Sequence, residues 1–374
     1  MPYLEYISFF SLGIYSLVIF GFTVGWFKLR KFNKPGNDNI ISASVVVACR
    51  NEEKNLDLLL ESLISQNYPK NKLEILIVDD HSEDNSVNII ENYTRKLNYI
   101  KLLRLPNNKT GKKEALSHGV KNANSKIILT TDADCLLNIN WIASLISYYQ
   151  KYKPQLISGP VSIENSSNLF QKIQSLEFLS LIASGAGAIG VGRPIMNNGA
   201  NLLFERSLFM ESNQYHKFAS GDDIFLMLHA KKTNKKSVHF IKSKDAIVYT
   251  QAAKSCIEFF NQRIRWTSKS KVYKDLDIII TAIAVVAINL IFAGSLILSF
   301  WNSIYFGWFL RLFLLKSLVD LFLLIPVLRF FSLNKLLWLF LPLQIIYPFY
   351  ILLTFALGLR GKFLWKNRTF KEKG

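Results

Sequence analysis

Between residues 41 and 152, short β-branched runs alternate with stretches of helical period. "ISASVVVAC" is continuous and apolar, as expected of a strand buried on both faces, and "EKNLDLLLESLIS" behind it repeats at helical spacing. "LEILIVDD", "SVNIIENYTRK", "IKLLRL", "GKKEALSHGVKN", "KIILTTDAD" and "NWIASLISYYQ" continue the alternation. This pattern predicts a parallel α/β sheet of the Rossmann type. Ligands bind such sheets where strands end at their carboxyl side. Two acid clusters, Asp79–Asp80 and Asp132–Asp134, fall at that edge.

Other apolar runs are much longer. Residues 4–27 carry no charge between Glu5 and Lys28, and residues 278–301, 304–328 and 336–359 are each near the twenty-residue spanning length. No basic stretch precedes the first run and "KLRKFNK" follows it, which favours an uncleaved anchor over a signal peptide. The third run holds Arg311, Lys316 and Asp320, and Lys316 and Asp320 stand four apart, able to neutralise each other on one helix face. "NLFQKIQSLEFLSLIASGAGAIGVG" predicts an amphipathic interfacial helix followed by a flexible loop, with a plain core helix as the alternative.

The chain of 374 residues has a net charge of +18. That charge first suggests nucleic acid, but the basic residues sit beside the apolar runs: Lys28, Arg30, Lys31 and Lys34 after the first, Lys269, Lys271 and Lys274 before the second. This is the positive-inside pattern; it predicts a cytosolic middle region in a multi-pass protein of the cell membrane, and no nucleic-acid partner. One span before that region and three after would leave the basic tail outside. One C-terminal segment is therefore expected to be re-entrant or flat, and the two prolines of "LPLQIIYPFY" single out the last. Cys49, Cys135 and Cys256 are few, odd in number and far apart, hence expected as free thiols.

Alternate residues of an extended chain project to one side, so Asp132 and Asp134 can converge and suit Mg2+ or Mn2+, which would bridge a diphosphate. An Asp-x-Asp after a strand is also an ordinary turn. Asp79 and Asp80 can accept hydrogen bonds from a base or ribose. Asp222 and Asp223 precede a helix-like run, where a carboxylate is either a cap or a rigidly held general base. "QRIRW" supplies Gln262, Arg263, Arg265 and Trp266: arginine for phosphate, tryptophan for a sugar face or the bilayer surface, or simply a basic juxtamembrane anchor. No G-x-G-x-x-G follows the first strand, which speaks against a dinucleotide oxidoreductase, and no G-K-[ST] loop is present.

"VVVACRNEEKNL", "VDDHSEDNS", "GKKEAL", "TDAD", "GANLLFER", "GDDIFL" and "QRIRW" together resemble, in order, the motifs of family-2 glycosyltransferases of GT-A fold, in the membrane-bound cellulose- and hyaluronan-synthase-like branch. The resemblance implies that Glu52 and Asp80 contact the nucleoside with Asp79 beside them, and that Lys112 contacts the diphosphate. Asp132 and Asp134 would be the metal and donor-sugar acids, and Asp223 the base that deprotonates the acceptor hydroxyl. Gln262, Arg265 and Trp266 match the motif that caps the donor and acceptor sites. His81 where Gly is usual, Ser117 for Asn, Asp222 for Glu and His229 for a basic residue depart from the pattern.

The expected architecture is an anchor (1–30), a cytosolic GT-A domain (40–275) with a nucleotide-sugar half (40–160) and an acceptor half (161–275), C-terminal transmembrane segments (276–360) and a basic tail (361–374). The expected activity is metal-assisted, inverting transfer from a nucleotide sugar, with a UDP-sugar favoured, to a lipid or growing glycan at the membrane lipids. A non-catalytic nucleotide-sugar sensor or scaffold is the alternative. A membrane-bound nucleotidyltransferase would leave "QRIRW" and "GDD" without a role.

Overall fold

The computed structural model describes residues 2–33, 40–164, 167–212 and 222–360, and the backbone of 362–365 and 368–371; the side chains of Pro2, Asp222, Ser270 and Lys271 lie outside the description. The chain opens with α1 (Pro2–Lys28). The predicted alternation follows as β1 (Ala43–Cys49), α2 (Leu56–Ile64), β2 (Leu73–Asp79), α3 (Ser86–Thr94), β3 (Ile100–Arg104), α4 (Lys112–Asn122) and β4 (Ile127–Asp132). Val45, Val46 and Val47 of β1 are fully buried, because helices cover both faces of the strand.

Next come β5 (Leu136–Leu137), α5 (Trp141–Tyr152), β6 (Leu156–Ser158), β7 (Val161–Ile163), α6 (Leu169–Gly190), β8 (Leu202–Glu205), α7 (Arg206–Glu211), α8 (Asp222–Thr233), β9 (Val238–Phe240), β10 (Val248–Thr250) and α9 (Cys256–Thr267). The main sheet runs β3-β2-β1-β4-β8-β6-β9. β3, β2, β1 and β4 are parallel, β8 runs against β4 and β6, and β9 is parallel to β6. A small sheet, β5-β10-β7, sits beside it. The protein is thus mixed α/β with a mainly parallel central sheet.

The C-terminal region folds as α10 (Leu276–Ser299), α11 (Ser303–Phe331), α12 (Phe340–Gly358) and a hairpin of β11 (Lys362–Trp365) and β12 (Arg368–Lys371). α1, α6, α10 and residues 334–358 are long and apolar enough to cross a membrane. α11 is interrupted by charges, and these are paired: Lys316 Nζ meets Asp320 Oδ2 at 2.8 Å, as its spacing predicts, and Arg311 meets Glu5 at 2.7 Å. α12 stays helical through Pro348.

α6 departs from expectation. Helix continues through the glycine-rich stretch to Gly190, with no flexible loop before it ends. The glycines instead admit α1: a Cβ on Gly25 would lie 1.8 Å from the Gly187 carbonyl oxygen, and one on Gly187 would lie 2.3 Å from that of Phe22. α6 is also long enough to span, yet β6 before it and β8 after it pair in one sheet, so both its ends serve the same domain. A crossing would force the eleven residues from 191 to 201 to return through lipid as irregular backbone, which hydrocarbon does not tolerate. Cys49, Cys135 and Cys256 are free thiols, as predicted.

Candidate active site

The strand order reverses between β1 and β4, and open α/β sheets hold ligands in the crevice at such a point. A cavity of about 1280 Å3 opens there. It is lined by Glu52 from the turn after β1, Lys112 from the start of α4, Asp132 and Asp134 from the end of β4, and Asp223 from the first turn of α8. Gln262, Arg263, Arg265 and Trp266 of α9 line it too.

β4 ends at Asp132, and the chain turns through Ala133 and Asp134 with the Cys135 N–H donating to the Asp132 carbonyl at 3.2 Å. The two acids therefore do not share one face of an extended strand, as alternation predicts; a turn brings both into the cavity. Lys112 Nζ donates to Asp132 Oδ1 at 2.5 Å. Desolvation works against that ammonium, but the Asp132 carboxylate overrides it and holds Lys112 above its ordinary pKa. Asp134 has no ion-pair partner among the described residues. Desolvation, then the charges of Asp132 and Glu52, push its carboxyl up to about 6. Burial lowers Arg265, while Asp132, Asp223 and Asp134 support its charge; a guanidinium so placed stays protonated at neutral pH.

Asp223 Oδ2 accepts from the Gly199 N–H at 3.1 Å, and its backbone carbonyl accepts from Asn197 Nδ2 at 3.0 Å. The carboxylate is thus fixed from the loop before β8. Asp222 begins the same helix, but its side chain is outside the described residues.

Two predicted groups have other surroundings. Asp79 and Asp80 do not line the cavity. Asp79 accepts from the Ser82 N–H, and Asp80 accepts from Thr110 Oγ1 at 3.2 Å and the Gly111 N–H at 3.0 Å, so the pair shapes the loops ahead of α3 and α4. The next residue, His81, has φ of 55°, a left-handed conformation that explains why glycine is usual there. Arg263 lines the cavity with its guanidinium engaged inside the protein. It makes a forked ion pair with Glu177 at 3.0 and 2.5 Å and lies over the Phe259 and Trp266 rings.

Residues 44–211 match the family described as Glycosyl transferase family 2. The chain carries a family-2 glycosyltransferase domain. The poly-beta-1,6-N-acetyl-D-glucosamine synthase of Staphylococcus epidermidis is 29% identical over 199 residues, covering 51% of this chain and 46% of that protein. The synthase of the same name from Staphylococcus aureus (strain COL) is 27% identical over 195 residues, or 50% and 45% of the two chains. The chain thus spans about half the length of the curated relatives it matches. Among solved structures, a mannosyltransferase from Pyrobaculum calidifontis in complex with GDP-Man and Mn2+ aligns at 17% identity with a TM-score of 0.60, covering 92% of this chain and 99% of that one. That likeness is one of fold, and the fold is GT-A.

Within this glycosyltransferase domain, sequence patterns alone missed Asn197, Gly199 and Glu177. Asn197 and Gly199 stand in "NNGANLLFER", whose polar start reads as a loop. Glu177, a lone acid in an apolar helix, carried a usable signal, since such residues are costly without a partner. Among the described residues no group of three or more His, Cys, Asp or Glu side chains could hold a metal. The Asp132–Asp134 pair nevertheless fits a Mg2+- or Mn2+-like ion that takes its other ligands from diphosphate and water. Desolvation, then the charges of Asp132 and Glu52, lift Asp134, and a bound cation would relieve the repulsion among these acids.

Proposed function

We propose that the chain is a membrane-bound inverting glycosyltransferase that moves a sugar from a nucleotide-sugar donor, a UDP-sugar favoured, to a hydroxyl of a lipid or growing glycan. The observation that carries this reading is the convergence of Lys112, Asp132, Asp134, Asp223 and Arg265 on one cavity at the sheet's reversal point. Glu52 would meet the nucleoside, with Asp79 and Asp80 fixing the loops around it. Lys112 and Arg265 would face the diphosphate and its developing charge. Asp223, held by Gly199 and Asn197, would take the acceptor's proton as its oxygen attacks the anomeric carbon on the face opposite the leaving diphosphate. Gln262 and Trp266 would close the donor and acceptor sites, and Arg263 would act through them by fixing α9 against Glu177. Asp222 is assigned beside the base on sequence grounds alone.

Asp132 and Asp134 would hold Mg2+ or Mn2+, which when bound would offset charge on the leaving diphosphate. The basic flanks of the apolar helices favour a multi-pass protein of the cell membrane with its GT-A domain in the cytosol. Membranes containing the chain, supplied with Mn2+ and radiolabelled nucleotide sugars, should transfer label into a lipid extract or a polymer. UDP-N-acetylglucosamine heads the donor panel because the curated relatives are named for a polymer of that sugar. No transfer from any donor would leave the sensor reading standing instead.

A further inference from the structure

The cavity does not stop at the acids. It continues between α6, α10, α11 and α12, where Ala282, Val285 and Val286 of α10 and Leu343, Ile351 and Phe355 of α12 line it. The carboxylates along this inner part are already engaged within the protein. Asp320 accepts from the Tyr15 hydroxyl at 2.6 Å, from Lys316 at 2.8 Å and from Gln344 at 2.6 Å. Glu177 accepts from Arg263 and from the Tyr350 hydroxyl at 3.0 Å. A passage for a glycan needs free donors and acceptors to replace the water that its hydroxyls lose. Here the charged groups satisfy one another. Asn289 of α10 bonds its Nδ2 to the Val285 carbonyl and leaves its Oδ1 without a partner. The wall around it is largely aliphatic, between helices of which α6, α10 and α12 are composed like membrane spans.

The mouth is the reverse. Asn197 Nδ2 is bonded to the Asp223 carbonyl, but its Oδ1, within the loop that fixes the base, is buried without a partner. A hydroxylated group at Asp223 would supply the missing donor.

Resting on the transferase reading above, we infer that the acceptor is a membrane amphiphile: its hydroxylated headgroup lies between Asp223 and Asn197, and its hydrocarbon chain lies along α10 and α12. The headgroup oxygen forms the bond to the anomeric carbon and its proton passes to Asp223. The bond from that carbon to the diphosphate oxygen breaks, and the nucleotide leaves with the electron pair.

The test uses the full chain in phosphatidylcholine nanodiscs and a dodecyl glucoside carrying a photoreactive diazirine at its tail. Cross-links should map to α10 and α12 and be displaced by plain dodecyl glucoside at lower concentration than by chitotetraose. Val286→Trp, which fills the passage, should cut labelling at least tenfold, while Ile283→Trp on the outward face should leave it unchanged. Labelling confined to outward residues such as Ile283 and Leu290 would overturn the inference, as would displacement by chitotetraose at the lower concentration. Photolabelling needs neither donor nor turnover. A labelled passage without transfer to any hydroxyl would therefore sink only the transferase reading, and transfer to a soluble glycan without tail labelling only this one.

Discussion

Two sets of charged side chains line one cavity and are built in opposite ways. Around Glu177 and Asp320 the partners close the circle: Arg263 and Tyr350 on one, Lys316, Tyr15 and Gln344 on the other. Around Asp132, Asp134 and Asp223 the balance is incomplete, and Asp134 is pushed up to about 6 by burial and by its acidic neighbours. The closed sets join helices: Glu177 ties α6 to α9 and α12, and Asp320 ties α11 to α1 and α12. The open set is poised for a charged ligand. Chemistry belongs where a fold leaves charge unanswered, and the neighbouring closed sets hold that imbalance in place.

The comparison can be broken most sharply at Asp223. Asp223→Asn should keep nucleotide binding and lower transfer by about 10²- to 10⁴-fold, the usual contribution of a general base. Normal turnover in that variant would remove the base from the scheme. In the closed set, Arg263→Met leaves Glu177 buried and uncompensated and should cost about 3–5 kcal/mol of stability. The double variant Arg263→Met/Glu177→Gln should recover most of this in a detergent melt, and no recovery would mean the pair is not the source of the loss.

A pH series separates the two sets next. Asp134 titrates at about 6 folded, against about 3.9 in a free chain. Between those values the folded chain holds the extra proton, so stability is gained as pH falls from 7 to 5 and lost as it rises. A divalent cation requires the ionised acid, so the rise in melting temperature caused by Mn2+ should shrink over the same descent. Asp134→Asn should flatten both trends; a Mn2+ effect equal at pH 7 and pH 5 would detach the acid from the metal. The smallest effect belongs to Lys101→Ala. Lys101 is half exposed, and Glu74 keeps Ser44 and Asn124, so the loss should stay under about 1 kcal/mol in a urea titration.

The first half of the domain was legible because its signals are local. A β-branched run such as 45–47 and an acid pair at a strand end need no knowledge of distant residues. The Lys316–Asp320 pair was legible for the same reason, being four apart on one helix. Arg263 was not: its partner Glu177 lies 86 residues away, on a helix whose glycines read as a flexible loop. Asp79 and Asp80 reached the right sheet edge, but only the fold shows them turned toward Ser82 and Gly111. Asn197 carries no pattern at all; its meaning comes from the one atom left unbonded beside Asp223.

The backbone contact of Gly25 with Gly187 carries one further consequence. α1 is pressed against α6, and α6 holds α9 through Glu177, so α1 and the site form one stiff frame. A helix tilts when bilayer thickness departs from its own length. In liposomes of stepped acyl-chain length, turnover should therefore peak at one thickness, and widening Gly187 to alanine should blunt that peak.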